Sequence, residues 1–149
     1  MTEFFSNSYE ETLAYAASLA AQLKKGSVIA FLGDLGAGKT AFTAGFVKGL
    51  GIDAEVSSPT FAICNVYRGK NDTVYHYDMY RIENWDDLET TGYFDSLATG
   101  AYILCEWAEN IYGALPEDAL IITITKLGEN ERRFRICTKK EYDENDIGN

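Results

Sequence analysis

The fold of this chain is decided by residues 28–40, which read Val28-Ile29-Ala30-Phe31-Leu32-Gly33-Asp34-Leu35-Gly36-Ala37-Gly38-Lys39-Thr40. The first five residues have no polar face, which is typical of a strand covered on both sides in a parallel sheet. A glycine-rich loop follows, and from Lys39 to about Leu50 apolar residues recur at helical spacing. This order of strand, loop and helix predicts the phosphate-binding loop of an α/β domain.

The loop fills the pattern Gly-x-x-x-x-Gly-Lys-Ser/Thr. Its glycines let successive backbone N–H groups converge on an anion, and the helix that begins at Lys39 directs the positive end of its dipole to the same point. Lys39 supplies a charge between the β- and γ-phosphates, and the Thr40 hydroxyl can ligate Mg²⁺. We therefore expect ATP with Mg²⁺ to be bound by Gly33, Asp34, Leu35, Gly36, Ala37, Gly38, Lys39 and Thr40.

Length and composition predict one folded domain. The chain has 149 residues, of which 46% are apolar, and it carries a net charge of −10. The charge argues against direct strong binding to any nucleic acid, tRNA included, because phosphate backbones are held by clustered Lys and Arg. No stretch is apolar enough to span a bilayer and no secretory signal is present, so we expect a cytoplasmic protein with no membrane attachment.

The rest of the chain predicts a three-layer P-loop α/β fold with a mixed, mainly parallel central sheet and antiparallel hairpin additions. Residues 1–140 are expected to form the domain, and the acidic segment 141–149 is expected to be a frayed tail. The three cysteines lack metal-ligand spacing and are expected to be reduced. The expected elements are a helix from Ser8 to Gly26, a hairpin of 60–67 and 73–79, a short helix at 84–91, a strand at 101–105, one or two helical turns at 109–115, and a hairpin of 120–127 and 133–138.

Two carboxylates follow candidate strands and are candidates to hold Mg²⁺ or to order water. Glu106 comes directly after the apolar run 101–105, and Asp78 ends a strand in which alternation places His76 on the same face. Either carboxylate could instead be solvated at a strand end. His76 is the only histidine, and a neutral ring that is paired with Asp78 or packed in place is favoured over a catalytic base.

Several other polar or aromatic residues carry open alternatives. Thr60 fits a hydroxyl that senses the γ-phosphate through Mg²⁺, and a capped turn at a strand start fits equally well. Trp107 could stack on a ligand or partner, or it could lie at the edge of the core. Arg81, Arg132 and Arg133 could reach phosphates or the base, or they could form surface salt bridges.

Four motifs in order resemble the TsaE (YjeE) family of small bacterial P-loop ATPases, and the match covers nearly the whole chain. Beside the glycine-rich loop they are Ser58-Pro59-Thr60-Phe61, Tyr75-His76-Tyr77-Asp78-Met79-Tyr80-Arg81, and Glu106-Trp107, which Leu115-Pro116 follows. The resemblance implies a cytoplasmic, Mg²⁺-dependent ATPase required for threonylcarbamoyl modification of adenosine 37 in tRNA. It also implies slow hydrolysis without two partners, the TsaB-type and TsaD-type core proteins of the modification enzyme.

The same resemblance implies roles for single residues. Lys39, Asp78, Glu106 and Thr60 are the implied catalytic residues, and Thr40, Glu106 and Asp78 are the implied metal ligands. Trp107 is implied in nucleotide or partner contact. Ala62 departs from the family by replacing a frequent hydroxyl residue, and the region of Arg132 and Arg133 aligns loosely. A contact between Arg132 and the base, or between residues 8–12 and the base, therefore rests on weaker similarity.

Other classes of P-loop protein fit less well. A small GTPase needs a guanine-reading aspartate after an Asn/Thr-Lys pair, and Thr125-Lys126-Leu127-Gly128 lacks it. A small-molecule kinase usually has an arginine-bearing lid, and no such segment stands out between Glu106 and Ala119. A nucleotide-switched binding module without useful turnover stays open as an alternative.

Overall fold

The computed structural model describes residues 1–32, 38–57, 59 and 63–145. These residues form a single sheet of seven strands with helices on both faces, which confirms the predicted α/β fold with a mixed sheet. The strands are β1 (Thr2–Ser6), β2 (Val28–Leu32), β3 (Cys64–Arg68), β4 (Thr73–Asp78), β5 (Tyr102–Glu106), β6 (Leu120–Lys126) and β7 (Arg132–Thr138). The helices are α1 (Tyr9–Gln22), α2 (Lys39–Gly49), α3 (Trp85–Glu89), α4 (Tyr93–Leu97) and α5 (Lys139–Asn145), with a 3₁₀ segment at Ala108–Ala114.

The strand order is β1-β7-β6-β2-β5-β4-β3. The four central strands β6, β2, β5 and β4 run parallel, and the outer pairs are antiparallel. The glycine-rich loop lies between the central strand β2 and α2. Because the carboxyl ends of parallel strands meet at one edge of a sheet, the ends of β2, β4 and β5 lie at the same edge.

The two faces of the sheet are covered differently. One face, here called the long-helix face, packs against α1 and α2. These helices lie in close contact: a Cβ atom at Gly45 would stand 2.4 Å from the Leu13 carbonyl oxygen, and one at Gly49 would stand 2.6 Å from the Ala17 Cα atom. The other face, here called the short-helix face, packs against α3, α4 and the 3₁₀ segment.

Two elements besides the C-terminal helix α5 were not predicted from the sequence. The edge strand β1 is mostly exposed and pairs antiparallel with β7, and its Phe4 ring stacks on Tyr15 with centroids 4.0 Å apart. The five-residue helix α4 is the second. Both are too short for a periodic apolar pattern to mark them, so only their tertiary contacts determine their conformation.

The acidic tail also differs from expectation, since residues 141–145 form most of α5. The Glu141 N–H donates to the Thr138 hydroxyl at 3.1 Å, and the Glu141 carboxylate accepts from the Thr138 N–H at 2.9 Å. This reciprocal capping box fixes the start of the helix, and Tyr142 packs near Tyr112. Residues 146–149 lie outside the described part of the chain.

All three cysteines are free thiols, as expected, and Cys105 and Cys137 are buried. Burial raises the pKa of the Cys105 thiol far above its ordinary value, so it stays a protonated core residue. Among the described residues, no helix has both the length and the apolar character needed to cross a bilayer.

Candidate functional site

The site is organised by the start of α2. Gly38 is the N-cap residue, with a φ of 114° that a side chain would strain. No side chain of the described residues caps this end, whereas the Ser8 hydroxyl caps α1 by accepting from the Glu11 N–H at 3.1 Å. The first-turn N–H groups of α2, with the positive end of its dipole, are therefore left to another acceptor.

Lys39 is the first residue of α2, and its side chain is only 2% exposed. The ammonium Nζ lies 5.5 Å from the centroid of the Trp107 ring, within range of a cation–π interaction. The loop residue and the residue after β5, which lie far apart in sequence, are thus brought together. Thr40 is next to Lys39 on α2 and is half-buried.

Glu106 is the last residue of β5 and is 6% exposed. Its Oε2 atom lies 2.6 Å from Nε2 of His76, whose side chain is fully buried. The sequence alternatives for His76 were a pairing with Asp78 or simple packing; the structure instead pairs His76 with Glu106. The carboxylate is therefore held at the strand end and does not lie free in solvent.

Asp78 is the last residue of β4 and stands opposite Glu106 in the parallel register. It is half-buried, and its Oδ1 atom accepts a hydrogen bond from the Tyr80 N–H at 2.9 Å. The two predicted carboxylates therefore end neighbouring strands at the same edge of the sheet.

Trp107 joins these pieces. It has a left-handed backbone (φ 57°, ψ 41°), the only non-glycine residue with positive φ among the described residues. Its ring lies 4.8 Å from that of Tyr80, and the Asn110 side chain donates to the carbonyls of Met79 and Tyr80 at 3.0 and 3.1 Å. The segment after β5 is thus bound to the segment after β4. Such a strained conformation, held by its surroundings, is typical of functional sites.

A cleft of about 120 Å³ opens beside the start of α2. Arg132 borders this cleft. Its Nη1 atom donates to the carbonyls of Gly128, Glu129 and Glu131 at 3.0 to 3.1 Å, so the guanidinium stabilises the turn that precedes β7. Arg133 reaches the Thr125 hydroxyl at 3.5 Å. The lining residues are Ser8, Tyr9, Thr12, Gly38, Ala41, Glu129, Asn130 and Arg132.

The structure thus places a subset of the predicted residues at one edge of the sheet. Lys39, Asp78, Glu106 and Trp107 lie there together, and the cleft adds Gly38 and Arg132. A larger cavity of about 450 Å³ lies near β7 and α5 and includes none of them. Predictions for Gly33, Asp34, Leu35, Gly36, Ala37 and Thr60 concern positions outside the described residues.

Sequence reasoning missed three features of the site. It did not find the Tyr80 ring against Trp107, the Asn110 side chain between two segments, or the cleft residues Glu129 and Asn130. The turn residues 128–130 were visible only as a hairpin connection. Their place beside α2 depends on the sheet order, which no local pattern encodes.

Known proteins resemble this chain over most of its length. The family profile described as "Threonylcarbamoyl adenosine biosynthesis protein TsaE" matches residues 6–134. The chain is 45% identical to the tRNA threonylcarbamoyladenosine biosynthesis protein TsaE of Bacillus subtilis, over 84% of this chain and 78% of that one. It is 34% identical to the protein of the same name from Treponema pallidum, over 89% and 97%. The crystal structure of Bacillus subtilis YdiB superimposes with a TM-score of 0.74 at 35% identity, covering 96% of this chain and 89% of the other. This chain therefore belongs to the TsaE family of threonylcarbamoyl adenosine biosynthesis proteins.

Proposed function

We propose that this protein binds ATP with Mg²⁺ at the start of α2 and hydrolyses it slowly, in support of threonylcarbamoyl modification of tRNA. The observation that carries the proposal is the convergence of an uncapped helix start, the buried Lys39 and the Glu106 carboxylate at one edge of the sheet. Nucleotides bind at such edges in α/β sheets, outside the carboxyl ends of the strands. Membership in the TsaE family supports the same role in tRNA modification.

The phosphate site is built by α2. A triphosphate is an acceptor for the first-turn N–H groups of α2, which no described side chain caps. Lys39 adds a positive charge that is already removed from water, so its electrostatic effect on an anion is larger than that of an exposed lysine. Since Trp107 lies beside the ammonium, a phosphate bound by Lys39 would lie near this ring.

The candidate metal ligands suit Mg²⁺ bound together with phosphate and water better than a metal ion bound by protein side chains alone. The available ligands are oxygen atoms of Thr40, Asp78 and Glu106, which a hard cation prefers. Among the described residues, no group of three His, Cys, Asp or Glu side chains could hold a metal by itself. This suits an ion held by one or two protein oxygens with phosphate and water, as Mg²⁺ usually is in nucleotide sites. When bound, Mg²⁺ would neutralise charge on the phosphates.

The cleft beside α2 is our candidate for the base. Asn130 offers both a donor and an acceptor, which matches the neighbouring amino donor and ring-nitrogen acceptor of adenine. Tyr9 is 58% exposed at the mouth of the cleft and offers an apolar ring surface. The helix start Ser8–Thr12 and Arg132 border the same cleft, which supports the weaker similarity noted in the sequence.

The positions of Arg132 and Arg133 support slow hydrolysis by the protein alone. A mobile arginine that stabilises the transferred phosphoryl group is worth roughly 10³ to 10⁵ in rate. Arg132 donates to three carbonyls of its own turn, and the Arg133 side chain donates to the Thr125 hydroxyl on the neighbouring strand β6. We propose that partner proteins of the TsaB and TsaD type complete the site and raise the rate.

Calorimetric titration with a non-hydrolysable ATP analogue tests the binding site. We expect Lys39→Ala to weaken binding about 10- to 100-fold, since hydrogen bonds to charged groups contribute about 1.5–3 kcal/mol. Lys48→Ala is the matched control, because Lys48 lies exposed in the last turn of the same helix. Equal affinity of both variants and the unaltered protein would contradict a phosphate site at the start of α2.

A measurement of phosphate release distinguishes a slow ATPase from a nucleotide-switched binding module without turnover. It is measured for the protein alone and with the two partner proteins of the same organism. We expect a low rate alone and a higher rate in the mixture. ATP binding without phosphate release under either condition would favour a binding module, and a fast rate without partners would contradict the partner-dependent mechanism.

A further inference from the structure

His76 is a buried polar residue that packing alone does not explain. Its side chain is fully buried, and its Nδ1 atom is buried without a hydrogen-bond partner among the described residues. An unpartnered polar atom in a core is destabilising, and most buried polar groups avoid it. At a position between Val74 and Tyr77 on β4, an apolar side chain would fill space without this cost.

The ring makes one strong contact, with Glu106. Nε2 of His76 lies 2.6 Å from Oε2 of the carboxylate. A carboxylate accepts, so Nε2–H donates, and the neutral ring then carries its lone pair on the unpartnered Nδ1. This assignment accounts for both ring nitrogens with a single proton.

The backbone of Glu106 is already fixed, so the histidine acts on its side chain. Glu106 is paired within β5, its carbonyl accepts from the Met79 N–H at 3.0 Å, and the strained Trp107 follows it. What these contacts leave free is the rotation of the carboxylate. The hydrogen bond from His76 holds Oε2 and leaves Oε1 as the oxygen for another ligand.

We infer that His76 is a positioning residue: through its Nε2–H it holds the Glu106 carboxylate in the orientation that presents Oε1 to Mg²⁺. This inference rests on the proposed function. Partners that orient a ligating group from behind are common around metal sites, and their loss typically lowers metal affinity or activity 10- to 100-fold. His76 touches neither nucleotide nor metal in this scheme.

A pair of amide variants tests the inference. The Nε2 of Gln occupies about the place of histidine Nε2, and the Nδ2 of Asn occupies about that of Nδ1, so only His76→Gln keeps a donor towards Glu106. The affinity for an ATP analogue is measured by calorimetry over a series of Mg²⁺ concentrations and in EDTA. We expect His76→Asn to raise the Mg²⁺ concentration for half-maximal binding about tenfold or more. We expect His76→Gln to stay within about threefold, and affinity in EDTA to change little in either variant.

Two further variants exclude a general loosening of the core. Val74→Ala enlarges a space on the same face of the same strand, and we expect it to lower stability without changing the Mg²⁺ dependence. In a Glu106→Gln background, His76→Asn is expected to have no further effect on the Mg²⁺ dependence, because both changes break the same interaction.

The outcomes are distinguishable. Equal Mg²⁺ dependence of the Asn and Gln variants, or effects that multiply in the double variant, would overturn the role of His76 even if Lys39→Ala weakens binding as proposed. An equal rise in the Mg²⁺ concentration for half-maximal binding in Val74→Ala would reduce His76 to a packing residue. An unaltered protein that binds no triphosphate would overturn the proposed function and this inference together.

Discussion

Two buried tyrosines on the short-helix face differ from the buried His76 on the long-helix face in how fully their polar atoms are hydrogen-bonded. Tyr77 bonds Ser96 at 2.6 Å, and Tyr93 donates to the Ala114 carbonyl at 3.0 Å, so these bonds connect α4 to β4 and to the 3₁₀ segment. His76 bonds Glu106 through Nε2, and its Nδ1 atom is buried without a partner among the described residues. The tyrosine hydroxyls thus fix a short helix, whereas His76 bonds the carboxylate at the end of β5.

The largest expected effect concerns how the long-helix face is packed. Gly45→Ala places a methyl group 2.4 Å from the Leu13 carbonyl oxygen, which belongs to the backbone of α1 and cannot rotate away. We expect the free energy of unfolding to fall by about 3 kcal/mol, as overpacking forces the helices apart. Urea denaturation measures it. Gly113→Ala is the control, since nothing lies within 4 Å of its new methyl group; an equal loss there would show that the helix contact does not matter.

The second prediction tests whether the polar pair on the long-helix face is kept for function. His76→Leu alone leaves the buried Glu106 without its donor, and we expect it to reduce the free energy of unfolding by about 2 kcal/mol. Adding Glu106→Leu should recover that loss or exceed it, because a buried polar pair replaced by apolar side chains is often neutral or stabilising. A double variant less stable than the single one would mean that the pair stabilises the fold.

The third prediction gives the counterpart on the short-helix face. Tyr93→Phe removes the hydrogen bond to the Ala114 carbonyl and leaves the ring in place, so we expect a loss of about 1 kcal/mol in urea denaturation. Tyr9→Phe, on a ring that is 58% exposed, should change stability by less than about 0.5 kcal/mol. Equal stabilities of the two variants would remove the contrast between the faces.

Local patterns explain what could be predicted from the sequence. The apolar strand 28–32, the loop pattern and the helix stripe are local signals, so the strand β2, the start of α2 and the position of Lys39 at that start could be predicted. Glu106 was readable too, because it follows an apolar run at a strand end. Each of these features is encoded in a short continuous stretch of sequence, where periodicity is reliable.

The rest of the site depends on which strands are neighbours. Alternation along the sequence predicted which face of β4 carries His76. Its hydrogen-bond partner depends on the register of β4 against β5, in which Asp78 lies opposite Glu106. The position of Asn130 beside α2 could not be predicted either, because it also depends on which strands are neighbours in the sheet. The capping box Thr138-x-x-Glu141 was present in the sequence, but the acidic composition of the tail concealed the helix that it begins.

The last prediction is a dependence on alkaline pH that belongs to the short-helix face. Burial raises the pKa of the Tyr77 and Tyr93 phenols above the ordinary value of 10.0. Below about pH 10 both the folded and the unfolded chain keep these protons, and their contribution to stability is fully present. Above it only the unfolded chain loses them, so the free energy of unfolding falls as pH rises, by at most about 1.4 kcal/mol per pH unit for each phenol. Urea midpoints from about pH 9 to about pH 11 should show a shallower fall in Tyr93→Phe than in the unaltered protein, and an identical slope would mean that the Tyr93 phenol titrates alike in both states.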